Sequence, residues 1–263
     1  MTHAASFLDL PDRPAKPRDM GLTHVIDKGL SLRQVEDLFA VAGDYIDIVK
    51  LGWGTAYVTP GLREKIALYR SLGASVVIGG TFWEVCLVQG RLDEWKRFVS
   101  DLGLQHVEVS DGTVPVPHEQ KLSYIEEYAH DFTVLSEVGS KDGDVVIAPY
   151  RWVEMIRAEA EAGAWKVITE ARESGTAGVF RGDGEVRGGL IDEIANAVDV
   201  QRLLFEAPQK SQQAWFVKAF GPNVNLGNIP PDEVIPLETL RLGLRSDTMA
   251  GVTSPGEGDA PGP

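Results

Sequence analysis

One pattern recurs about eight times along this chain and constrains its fold more than any other feature. A short apolar run of β type is followed by a glycine-rich or polar loop and then by an amphipathic helix. The strand candidates are Leu22–Ile26, Tyr45–Lys50, Ser75–Ile78, His106–Val109, Thr133–Ser136, Trp165–Thr169, Leu203–Phe205 and Val224–Leu226. They are rich in Val, Ile and Leu, as parallel strands buried on both faces are. Ser31 is placed to cap SLRQVEDLFAVAG, whose Leu32, Val35, Leu38 and Phe39 share one face. Thr59-Pro60 opens the next helix, and Gly73, Gly103 and Gly163 follow helix ends. Later helices are expected at Gly189–Val198, Gln209–Phe220 and Asp232–Leu242. Eight β/α units in a chain of this length read as a single-domain (β/α)8 TIM barrel. The competing fold, a doubly wound open sheet, usually carries GxGxxG after its first strand, and IDKGLS is not that motif.

The barrel is expected over residues 20–248. Residues 1–19 form a lead segment with Pro11, Pro14 and Pro17, and residues 249–263 form a Gly/Pro-rich tail expected to be disordered. A hydrophobic fraction of 43% excludes a disordered chain. A net charge of −14 argues against nucleic acid as a partner, because phosphate binding needs a basic surface. No apolar run approaches the roughly 18 residues of a membrane helix; Val76–Val88 is broken by Gly79, Gly80, Thr81 and Glu84. No signal-peptide pattern opens the chain. The single Cys86 excludes an intramolecular disulfide and a thiolate metal cluster. A cytoplasmic protein acting on small molecules fits these features, and a homo-oligomer is compatible with them.

In a barrel all strand C-termini meet at one face, where chemistry sits. The first strand runs into Asp27-Lys28-Gly29, and the second ends at Lys50 before Gly52-Trp53-Gly54-Thr55. The third gives Gly79-Gly80-Thr81 and then Glu84. The next four strands each end in a glutamate: Glu108, Glu137, Glu170 and Glu206. Neighbouring strands lie about 5 Å apart, so four carboxylates there need cations among them. Lys28, Lys50, Lys141 and Arg172 are the candidate partners, and a divalent ion that prefers oxygen ligands is another. The simpler reading of each Glu–Lys pair is a salt bridge closing the barrel end. GPNVNLGN falls near the seventh and eighth loops, where barrels often bind phosphate, and this makes Asn223 and Asn225 candidate ligands, although a plain turn after a helix fits as well. His24 reads as a packed core histidine and Cys86 as an inert thiol. The basic side chains at this end are expected to focus positive charge there despite the net −14.

The motifs GLTHVIDKG, GDYIDIVKLGWGT, GGTFWE, EVSDGT, SEVGSKD, EARESG, FEAPQKSQQ, NVNLGNI and ETLRLGLRSDT span about residues 21 to 248. In these the chain resembles the phosphosulfolactate synthase family, which also includes sequences similar to a plant heat-stress protein. The resemblance implies a barrel lyase that adds sulfite to phosphoenolpyruvate with Mg²⁺, giving (2R)-phospho-3-sulfolactate, a step of coenzyme M biosynthesis in archaea. It implies a general-acid lysine just after the fifth strand, which by position in SEVGSKD is Lys141. Such a lysine donates near neutral pH if burial or positive charge lowers its pKa. Lys28, Lys50, Arg172 and Ser174 are the expected substrate ligands beside the two asparagines. Strand-end position alone suggests Asp111, Glu137 and Glu170 as metal ligands. The stretch TVPVPHEQ, Ser140 and Ala171 depart from the family pattern. They leave two alternatives: a barrel enzyme adding a different nucleophile, or a non-catalytic stress-related homologue.

Overall fold

The computed structural model describes residues 5, 7–141 and 147–249. The apolar runs form β1 (Thr23–Asp27), β2 (Ile48–Leu51), β3 (Ser75–Ile78), β4 (His106–Ser110), β5 (Thr133–Val138), β6 (Ala164–Thr169), β7 (Leu203–Glu206) and β8 (Leu226–Ile229). They pair in the order β3-β2-β1-β8-β7-β6-β5-β4, every ladder parallel. β3 and β4 meet at the seam, where the Gly80 N–H donates to Glu108 Oε1 at 2.5 Å. The helices are α1 (Leu32–Ala42), α2 (Thr55–Val58), α3 (Leu62–Ser71), α4 (Gly80–Val88), α5 (Leu92–Asp101), α6 (His118–Ala129), α7 (Pro149–Glu161), α8 (Gly188–Ala197), α9 (Lys210–Phe220) and α10 (Val234–Arg241). This is the (β/α)8 barrel expected from the repeat, in one domain.

Local signals explain much of the placement. Ser31 caps α1 through the Gln34 N–H, and the Gln34 side chain returns a bond to the Ser31 N–H. Three elements differ from expectation. β2 starts at Ile48, because Gly43–Tyr45 makes a 3₁₀ turn first. The GGTFWE stretch is the start of α4 rather than a loop. β8 is Leu226–Ile229, not Val224–Leu226. Its Gly227 has the look of a turn residue, yet a Cβ there would run into the Leu204 side chain of β7. Glycine is in that strand for close packing.

The barrel interior is layered. Ile48, Val77, Leu135, Ile168 and Leu204 form a buried cluster inside the strands, separate from the larger core between strands and helices. Side chains along a strand alternate, so positions i and i+2 share a face. Two residues beyond this aliphatic floor come Lys50, Gly79, Glu137, Glu170 and Glu206. The polar layer therefore sits directly above the floor, at the C-terminal end.

The other end is closed by the lead segment. Arg13 pairs with Glu238 at 2.9 Å and Arg18 with Asp47 at 3.0 Å. Lys166 donates to the Asp19 carbonyl at 2.8 Å. Apart from Met249, the tail expected to be disordered lies outside the described residues. Among the described residues no helix is long and apolar enough to cross a membrane.

Candidate active site

A cavity of about 260 Å³ opens at the C-terminal end of the barrel. Its lining includes Lys50 from β2, Gly79 and Gly80 after β3, Glu108 from β4, Glu137 from β5, Glu206 from β7 and Asn228 from β8. Thr81 of α4 and the loop residues Trp53, Thr113, Lys141, Glu170, Arg172 and Glu173 complete much of the wall. The Lys141 N–H donates to the Gly112 carbonyl at 3.0 Å, which seats the residue over the cavity. A Cβ on Gly112 would lie 3.1 Å from Glu170 Oε2 and 3.2 Å from Glu137 Oε1, so glycine keeps that approach open.

Lys50 Nζ lies 3.1 Å from Glu206, 3.3 Å from Glu108 and 4.0 Å from Glu137. Lys141 Nζ lies 3.3 Å from Glu137 and 3.8 Å from both Glu84 and Glu170. Glu84 comes from α4, where its Oε1 accepts from Ser110 Oγ at 2.7 Å. Five buried glutamates thus share two lysines. The expected concentration of positive charge is corrected: the interior of the site is acidic, and its free cations stand at the rim.

The charge imbalance sets the protonation states. Burial would lower the Lys141 pKa, but Glu137, Glu170 and Glu84 outweigh it and raise it. The expected tuning toward neutrality does not occur, and Lys141 is an ammonium ion. Lys50 follows the same logic, with Glu108, Glu206 and Glu137 overcoming burial. Burial would raise Glu137, yet Lys141 and Lys50 hold it below the usual carboxylate range. Glu170 goes the other way, raised by burial and by Glu137 and Glu206. Glu206 is pushed up to about 7, chiefly by burial.

Glu137, Glu170 and Glu206 each offer a carboxylate oxygen within 4.8 Å of the others. Glu170 Oε2 is buried with no hydrogen-bond partner. Hard oxygen donors, excess negative charge and an unsatisfied carboxylate oxygen fit a divalent cation. Among the described residues this is the one acidic trio so arranged.

The structure brings together Lys50, Lys141, Glu137, Glu170 and Arg172 from the expected set. Lys28 is at the rim, its Nζ 5.8 Å from the centre of the Trp53 ring. Asp111 is not part of the acidic trio. Lys121 takes it at 2.8 Å, as part of a buried pairing with Glu159, and Lys121 also donates to the Glu137 carbonyl at 2.6 Å. Asn223 and Asn225 lie at the opposite end, because β8 begins after them. Asn225 donates to Leu203 O at 2.9 Å and accepts from the Leu22 N–H, while Asn223 binds Arg13 and Asp12. Ser174 is exposed, 2.7 Å from Thr176 Oγ1, and outside the cavity lining. Glu206, one of the run of strand-end glutamates, completes the trio in place of Asp111. Glu84 and Asn228 join the site from α4 and β8, two elements whose sequence reads as a loop and a turn. His24 is the neutral core histidine expected, its pKa lowered by burial and its Nδ1 accepting from the Asn228 N–H at 3.2 Å.

Comparison with known proteins follows the same line. The family described as (2R)-phospho-3-sulfolactate synthase (ComA) matches residues 11–247. Phosphosulfolactate synthase from Bacillus subtilis (strain 168) is 46% identical, covering 92% of this chain and 97% of that protein. The phosphosulfolactate synthase of Methanothermobacter thermautotrophicus is 40% identical, over 95% and 99%. Protein HEAT-STRESS-ASSOCIATED 32 of Arabidopsis thaliana is more distant, 24% identical over 90% and 91%. Among solved structures, 3-hexulose-6-phosphate synthase from Salmonella typhimurium aligns with a TM-score of 0.51 at 14% identity, covering 88% of this chain and 94% of that one. That likeness bears on the fold alone. Identity of 40% or more along almost their entire lengths joins the barrel to two named synthases, and the chain belongs to the phosphosulfolactate synthase family of enzymes.

Proposed function

We propose that the cavity joins sulfite to phosphoenolpyruvate in a Mg²⁺-dependent carbon–sulfur bond formation of the lyase class, giving (2R)-phospho-3-sulfolactate. The observation that carries this reading is the pairing of an ammonium group, Lys141, with an acidic trio suited to a divalent ion, in one cavity of a family member. Glu137, Glu170 and Glu206 would hold Mg²⁺. The ion supplies positive charge against the negative charge that grows on the substrate carboxylate.

The chain's own groups do the rest. The sulfur lone pair of sulfite forms a bond to C3 of phosphoenolpyruvate, and the C2–C3 π pair moves onto C2 and the carboxylate. Lys141 then gives its Nζ proton to C2 and recovers one from solvent. A C–H beside a carboxylate is a much weaker acid than an ammonium ion, so this transfer runs downhill even from a lysine of raised pKa. The phosphate ester stays intact. Arg172 and Lys28 supply rim cations for the anionic oxygens, which the acidic interior would otherwise repel. Lys50 holds Glu108 and Glu206 in place and keeps part of the carboxylate charge neutralised.

The test is phosphorus NMR of purified protein with phosphoenolpyruvate, sulfite and Mg²⁺. A new phosphoester resonance that requires all three is expected. Absence of that resonance, or faster turnover of another nucleophile with the same acceptor, overturns the reading.

A further inference from the structure

Among the described residues, three that are not glycine have a positive φ: Trp53 at 50°, Arg172 at 57° and Asn228 at 53°. All three line the same cavity. A side chain with a Cβ is disfavoured in the left-handed region, and for a residue as bulky as Trp the conformation is an outlier. Such positions persist only where the surroundings over-determine them, and they gather at ligand sites.

The surroundings here are specific. Trp53 sits between Gly52, whose N–H donates to the Asp27 carbonyl at 3.0 Å, and Gly54, whose carbonyl accepts from the Tyr57 N–H at 3.0 Å. A Cβ on Gly79 would lie 3.2 Å from the Trp53 nitrogen, so the end of β3 packs closely on this loop. The Arg172 N–H donates to Glu170 Oε1 at 2.5 Å. The Asn228 N–H is held by His24 Nδ1. Asn228 is 4% exposed, yet its Oδ1 has no hydrogen-bond partner. An unpaired amide oxygen in a cavity wall has a ligand that carries a donor as its natural partner. Trp53, 38% exposed, carries the Lys28 ammonium over its ring.

We propose that Trp53 and Asn228, with Arg172, form a fixed substrate-orienting rim. Asn228 Oδ1 accepts a hydrogen bond from a protonated phosphate oxygen of the bound substrate, and Trp53 walls the mouth while holding Lys28 toward it. This rests on the reading above that the cavity takes an anionic, phosphate-bearing substrate.

Glycine variants separate function from architecture, because glycine adopts the left-handed conformation freely. Trp53→Gly and Asn228→Gly are each expected to keep or raise Tm while the KM for phosphoenolpyruvate rises at least tenfold at saturating Mg²⁺. Asn228→Ala is expected to show the same KM rise with a lower Tm, since it loses the amide and keeps the strain. An unchanged KM in the glycine variants overturns the rim. So does a fall in Tm with activity lost only in proportion to unfolded protein. If the unaltered enzyme turns over nothing, the proposed reaction fails, and inorganic phosphate then becomes the probe. A phosphate-induced rise in Tm that the two glycine variants lose still supports the rim, and any other result overturns it.

Discussion

Lys50 and Lys141 occupy the same acidic well and carry different loads. Lys50 is buried among three glutamates, so removing its charge strands them. Lys50→Met is expected to destabilise the protein by about 3–5 kcal/mol, the usual result of breaking a buried ion pair, measured by urea unfolding. Lys141 is partly exposed, and in the proposed reaction it is the proton donor. Lys141→Arg keeps the charge but cannot release it, so kcat is expected to fall by roughly 10²–10⁴ with Tm within a few degrees of the unaltered protein. Glu206 sets a pH dependence. Its folded pKa, about 7, lies above the ordinary 4.5, so between those values the folded state holds a proton that the unfolded state has lost. Stability of the metal-free protein should therefore fall as pH rises from about 4.5 to 7. Glu137 acts in the opposite sense, but only below that window. Mg²⁺ needs the carboxylates ionised, so the Tm gain on adding it should be larger at pH 8 than at pH 5.5. Thermal scans at the two values check both signs, and Glu206→Gln should weaken the metal-free trend, the remainder coming from Glu170, which is raised in the same direction.

Elements show why part of the site could be read from sequence and part could not. Glu137, Glu170 and Glu206 are legible because each lies at the end of an apolar run, and Glu108 because it is a charge inside one; strand alternation carries their side chains inward. Glu84 is not legible as a site residue, since it arrives from α4, whose opening glycines have the sequence of a loop. Asn228 falls in the polar stretch after the expected eighth strand, but Asn223 and Asn225 stand out over it there, because Gly227 looks like a turn residue and in fact packs on Leu204 inside β8. The FEAPQKSQQ motif has an element-scale explanation too. Gln212 at the start of α9 donates to the Gly175 and Gly184 carbonyls at 2.8 and 3.1 Å, and Gln209 donates to the Ser174 carbonyl at 2.6 Å. These bonds clamp the loop that carries Arg172. Gln212→Leu leaves two buried carbonyls without donors and should loosen the loop. Its expected signature is a several-fold higher KM for phosphoenolpyruvate and faster amide exchange over residues 173–185, with a stability loss of about 1–3 kcal/mol.

At the scale of the whole molecule, the repeat of eight units determined the architecture, and the ends needed the structure. The Pro-rich lead segment has little periodicity, so sequence offers no face to pack. Its contacts are instead ionic and backbone-directed, through Arg13, Lys16, Arg18 and Asp19 against the barrel's N-terminal end. Deleting residues 1–19 should lower Tm by many degrees while leaving kcat/KM per folded molecule unchanged, because the cavity is at the other end. The net charge of −14 also takes on a location. Five of its carboxylates stand inside the barrel, and the pH and metal responses come from those rather than from the helix faces.

The aliphatic floor of Ile48, Val77, Leu135, Ile168 and Leu204 closes the bottom of the cavity, so the cavity is a shaft entered from the C-terminal end. If the two proposed reactants stack along this shaft, the one that reacts deeper has to enter first. Turnover would then be a queue, and an excess of the later arrival is expected to inhibit, which initial-rate kinetics with each reactant in excess checks.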